Sequence, residues 1–133
     1  MIGLSVAIIS FCMILLEDFL IEVKGEILQY LTIGSTLRPI SAMSFYITVS
    51  LVLACSAGMM TVYIAPKASG SGIPELMGCL NGIRISQYLT PTVLMVKAIA
   101  VVLAIAGTLV VGKEGPLAHI GAAVAISLLF API

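Results

Sequence analysis

Apolar residues run in long blocks along this chain, and its twelve charged residues mark the gaps between them. A bilayer core of about 30 Å takes about 20 helical residues to cross. The first block, Met1 to Leu16, reaches that length if Phe19, Leu20 and Ile21 continue it. It carries no basic leader and no small-residue cleavage site, so a signal peptide is the weaker reading. Residues 17–38 are polar, and Glu17, Asp18, Glu22 and Glu26 read as a solvated helix end. Residues 39–66 hold no charge at all, and Pro91 to Val111 is interrupted only by Lys97. The pattern predicts spans at about 2–21, 41–64, 91–111 and 115–131, the last short for a full crossing. A short helix over 74–80 is expected inside the Gly- and Ser-rich stretch 67–90. No internal repeat is visible and no soluble domain is expected.

Composition narrows the class further. Of 133 residues, 61% are hydrophobic and 9% charged, with a mean hydropathy of +1.25. A soluble domain carries about 25% charged residues, so this chain lacks the polar surface of a water-soluble globule. Six basic residues balance six acidic ones, which leaves no charge field to recruit nucleic acid. Cys12, Cys55 and Cys79 lie far apart without ligand spacing and are expected to be buried small hydrophobes. The fold class is therefore all-α integral membrane, multi-pass. Basic residues are spread too thinly for loop charge to set the orientation.

Two pentapeptides carry the candidate chemistry: Gly70-Ser71-Gly72-Ile73-Pro74 and Gly112-Lys113-Glu114-Gly115-Pro116. Each follows an apolar span and ends in a proline suited to a first helical turn. A helix N-terminus exposes unpaired N–H groups and about half a positive charge, so it favours anions. Helices that break near mid-membrane build ion sites in this way. Ordinary surface loops rich in Gly and Pro are the competing reading. Glu114, an ionisable group beside a short apolar helix, favours function.

These residues resemble a known family. Ala65 to Glu75 (APKASGSGIPE) and Gly112 to Ala122 (GKEGPLAHIGA) strongly resemble the chloride channel and chloride/proton antiporter (CLC) family. The 37 residues between the two breaks fit the family's spacing, and the resemblance is strongest from about Tyr63 to Ala125. It implies the first part of an inverted-repeat helical bundle, with broken helices opening at Pro74 and Pro116. It implies that Gly70, Ser71, Gly72, Ile73 and Pro74 contribute to a chloride site, with the Ser71 hydroxyl as a neutral donor. Glu114 matches the gating glutamate, whose carboxylate occupies an anion site until it is protonated or displaced. Lys113, with Gly112, Gly115 and Pro116, falls at the pathway entrance.

Two basic residues stay open: Lys113 raises local anion concentration or forms an exposed pair worth almost nothing. Lys97, where the family often has a basic residue, faces the interior or snorkels to the interface. His119 lies about 140° round a helix from Glu114 and is expected to be packed rather than a proton relay. Glu75, in a first helical turn, is expected to be structural.

The resemblance implies chloride as the substrate, with protons in an exchanger, and no other cofactor. Lipid is the expected partner, together with a homodimer whose interface lies outside these residues. Family members have about seventeen membrane helices, so the chain is expected to be a part of such a protein and inactive alone. No enzyme is expected: there is one histidine, no metal-ligand cluster and no nucleophile triad. The alternative is a small multi-span interaction or regulatory subunit without transport activity.

Overall fold

A computed structural model describes residues 2–32, 38–83 and 88–129. Among them are five α-helices: α1 (Ile2–Thr32), α2 (Arg38–Tyr63), α3 (Ile73–Leu80), α4 (Pro91–Ala106) and α5 (Glu114–Leu129). A 3₁₀ turn, Pro66–Ala68, leads from α2 towards the first break. Residues 33–37 of the polar stretch, 84–87 of the Gly- and Ser-rich stretch, and 130–131 at the end of the fourth expected span lie outside the described residues.

The two long helices form because nothing in them stops a helix. α1 runs on to Thr32 rather than ending near 21, since its glutamates are good helix formers and no proline interrupts it. Its 31 residues extend about 46 Å. Both α1 and the Ile40–Tyr63 part of α2 are long and apolar enough to cross a membrane. Their large apolar side chains face outwards, among them Leu4, Phe11, Phe19, Ile47 and Leu51. In water such an exterior is unfavourable at roughly 25 cal/mol per Å²; against lipid it is not.

α4 sits at the centre and packs on α1, α2 and α5. Thr90 caps it, accepting from the Val93 N–H at 3.4 Å, with Pro91 in the first turn. Val93, Val96, Lys97, Ala100, Val102 and Ala106 are buried. Small residues let α2 come close: a Cβ on Gly107 would lie 3.1 Å from the Ala54 nitrogen and the Ser50 carbonyl oxygen. Met13 of α1, Val102 of α4, and Ile120 and Val124 of α5 form one core cluster. Ala65 and Ala68 form a second with Val93 and Val96.

α4 ends at Ala106, short of the expected 111. Thr108 takes the left-handed conformation (φ 61°), and its hydroxyl donates to the Gly107 carbonyl at 2.6 Å. The N–H of Leu109 returns to the Ala104 carbonyl at 3.0 Å. This is the turn that closes a helix C-terminus, with threonine where glycine is usual.

The cysteines correct an expectation. Cys12 and Cys55 are exposed, and Cys79 is only partly buried. When every face of a helix is apolar, hydrophobicity no longer separates inside from outside, and a small thiol is as acceptable to lipid as to a core.

Candidate functional site

The two pentapeptides lie far apart in sequence and meet in space. α3 begins at Ile73 with Pro74 in its first turn, and α5 begins at Glu114 with Pro116 in its first turn. Each helix therefore opens slightly before the expected proline, which places Glu114 at the head of α5. Gly115 packs directly on Ser71: a Cβ at position 115 would lie 2.8 Å from the Ser71 Cβ and 3.5 Å from the Ile73 Cδ1. Only a residue without a side chain lets the two breaks approach this closely.

A cavity of about 800 Å³ opens where they meet. Gly70, Ser71 and Ile73 of the first break line it, as do Gly112, Glu114, Gly115 and Pro116 of the second, and Lys97 of α4. Gly72, Pro74 and Lys113 are not part of its wall. The Ser71 Oγ accepts a 3.4 Å hydrogen bond from the Ile73 N–H. Because this hydroxyl accepts towards the helix, its own proton is free to serve a ligand in the cavity.

Lys97 faces the interior and does not snorkel. It is 1% exposed, and its Nζ has no hydrogen-bond partner among the described residues. An enclosed ammonium without a partner costs several kcal/mol. Lys113 turns the other way, with its Nζ 3.8 Å from the Glu17 carboxylate of α1. Glu17 thus lies against the second break instead of in a purely solvated helix end. Glu114 and Glu75 are both exposed.

Behind the first break stand two further residues. Gly72 has φ +80° and caps α3. Its carbonyl accepts hydrogen bonds from the Leu76 N–H at 3.0 Å and from the hydroxyl of Tyr88. The rings of Tyr88 and His119 stack with centroids 4.1 Å apart and 13° between planes. His119 Nε2 lies 3.2 Å from the Tyr88 carbonyl oxygen. His119 is therefore packed, as expected. Burial, with Glu75 nearby as a lesser cause, pushes the Tyr88 hydroxyl up to about 12, so it remains a neutral donor.

Sequence reasoning missed Tyr88 and Lys24. Tyr88 had no signal beyond being a large aromatic in a Gly- and Ser-rich stretch. Lys24 was hidden among the acidic residues of α1; a buried lysine is recognisable only from the partners that surround it.

The described residues thus form an all-helical fold with two helices long and apolar enough to cross a membrane, and the first turns of α3 and α5 both border one cavity. Residues 51–131 match the family model described as voltage gated chloride channel. The chain is 34% identical over 126 residues to putative chloride channel-like protein CLC-g of Arabidopsis thaliana, covering 93% of this chain and 16% of that protein. It is 46% identical over 76 residues to chloride channel protein CLC-c of Arabidopsis thaliana, covering 57% of this chain and 10% of that protein. Against chloride channel protein 2 of Cavia porcellus it is 33% identical over 129 residues, covering 97% of this chain and 14% of that protein. The chain belongs to the voltage gated chloride channel (CLC) family. It spans between 10% and 16% of the length of these three relatives.

Proposed function

We propose that this chain supplies one wall of a chloride pathway in an integral, multi-pass membrane protein, a chloride channel or chloride/proton antiporter. One observation carries the reading. Ser71, Glu114 and the unpartnered Lys97 line a single cavity at which the N-termini of α3 and α5 converge. Orphan N–H groups, a neutral hydroxyl and an enclosed cation all favour an anion, and none fixes it so firmly that it cannot leave. Glu114 serves as the gate: its carboxylate competes with the anion, and protonation or displacement clears the way. α4 and α5 cross or enter the bilayer beside α1 and α2, and their irregular ends line the cavity rather than face lipid. In the complete protein, further donors from the rest of the chain complete the pathway, and the parent is a homodimer whose interface lies outside these residues.

The test places Ser71→Pro in the complete protein that carries this sequence and compares chloride with nitrate permeation in liposomes. The substitution removes the hydroxyl and the N–H at that position. The chloride-over-nitrate ratio is expected to fall. An unchanged ratio would remove Ser71 from the ion's path.

A further inference from the structure

Gly72 differs from its neighbours in the first break. Ser71 and Ile73 line the cavity, whereas Gly72 is buried and absent from its wall. Its carbonyl is held on the far side by the Leu76 N–H and the Tyr88 hydroxyl. Neither Tyr88 nor His119 lines the cavity. They are 2% and 1% exposed, so the pair is enclosed behind the break.

Their hydrogen bonding has one arrangement. A carbonyl only accepts, so His119 Nε2 carries a proton to the Tyr88 oxygen, and in the neutral ring Nδ1 keeps its lone pair. Nδ1 is buried without a partner. It faces Gly72, where a Cβ would lie 2.5 Å from it and 2.7 Å from the Tyr88 hydroxyl oxygen. The histidine thus anchors Tyr88 twice, through the backbone carbonyl and through the stacked ring. It does so from α5, the helix headed by Glu114.

This geometry matters because the Gly72–Ile73 peptide follows a glycine at φ +80°, whose torsions are the least restricted of any residue. A turn of the Gly72 peptide would bring a carbonyl dipole towards the cavity and repel an anion there. We propose that Tyr88 and His119 are positioning residues of the anion site, which lock the Gly72 carbonyl away from the cavity so that donors face the ion. The inference rests on the chloride-pathway reading above. It makes the selectivity of the first break depend on a contact from the gate-bearing helix.

The experiment measures chloride and nitrate permeation in liposomes for the complete protein. Tyr88→Phe keeps the ring and its stacking but removes the donor. It is expected to lower the chloride-over-nitrate ratio by roughly two- to tenfold, the effect of one hydrogen bond, while the pH response of flux is retained. His119→Leu should lower the ratio in the same direction. His119→Gln, whose amide can donate to the Tyr88 carbonyl, should restore most of it.

A purely structural pair would reduce the yield of folded protein and leave the ratio of the remainder unchanged; that result overturns the inference. Should Tyr88→Phe fail to give monodisperse protein, the contrast between His119→Gln and His119→Leu decides by the same ratio. Absence of chloride flux in the unmodified protein would overturn the proposed function and this inference together. A conducting parent with unaltered variants overturns the inference alone.

Discussion

The ammonium of Lys24 on α1 donates a 2.9 Å hydrogen bond to the carbonyl oxygen of Ala106, the last residue of α4 and 82 positions away in the chain. The same Nζ lies 3.2 Å from the Ser50 Oγ and 4.5 Å from the centroid of the Tyr46 ring. A cation at a helix C-terminus is favourable, and this one also answers a carbonyl that α4 leaves open. Glu17, two turns earlier on the same face of α1, reaches Lys113. α1 thereby grips both ends of the connection that leads from α4 to Glu114.

Replacing Lys24 with Met keeps the bulk and removes the donor. Lys24→Met is expected to cost about 1.5–3 kcal/mol, the range for a hydrogen bond to a charged group. Glu17→Gln should cost less than about 1 kcal/mol, because a long 3.8 Å pair with an exposed lysine contributes little; the Lys113 side chain is 46% exposed and that of Glu17 is 14%. Thermal unfolding in detergent separates the two. Equal shifts would contradict the burial of Lys24.

The contact between Gly115 and Ser71 leaves no room for a methyl group. Gly115→Ala would set a Cβ 2.8 Å from the Ser71 Cβ and 3.4 Å from its Cα. Overpacking of this kind costs about 1–3 kcal/mol, and here it pushes the two breaks apart. Anion affinity measured by calorimetry should fall with stability. Gly112→Ala is the comparison: nothing lies within 4 Å of that added Cβ, and the change should stay within about 0.5 kcal/mol.

Glu114 lines the cavity at the head of α5, and the proposed gate rests on its charge. Glu114→Gln keeps the shape and removes the charge. Flux through the complete protein should then lose most of its pH dependence, and any proton coupling should weaken. A pH profile that overlays the parent's would take the gate away from this residue.

Tyr88 gives the fold a sensitivity to strong alkali. Its hydroxyl is pushed up to about 12 from an ordinary value of 10.0, first by burial and then by the Glu75 carboxylate. The unfolded chain releases this proton at lower pH than the folded chain does. The contribution of the neutral hydroxyl is therefore complete below about pH 10 and is lost as pH rises through about 12. Unfolding midpoints recorded from pH 8 to 12 should fall more steeply at the alkaline end for the parent than for Tyr88→Phe. Parallel curves would show that Tyr88 is not enclosed.

Much of this protein was legible in one dimension, and the reason is local. Charge gaps matched most of α2 but not the end of α1, which runs through its charges to Thr32, and Gly-Pro punctuation lay within two residues of the heads of α3 and α5. Both signals depend only on near neighbours: backbone satisfaction in lipid, and the conformational limits of proline and glycine. The end of α4 was not legible, because Thr108, not a glycine, adopts the left-handed turn there. Its stop is reinforced by Lys24 from a distant helix.

Which side of each helix faces inward lay equally beyond the sequence. In a chain apolar on every face, burial no longer follows hydrophobicity, so Cys12 and Cys55 face outwards while Lys24 and Lys97 are enclosed. The sequence by itself determined that two Gly-Pro pentapeptides precede helices and which side chains they carry. Only the tertiary structure decided that Gly115 would rest on Ser71 and that Lys97 would share their cavity. It alone decided that Tyr88 and His119 would close behind Gly72, since contacts between residues tens of positions apart follow from packing, not from local backbone preference.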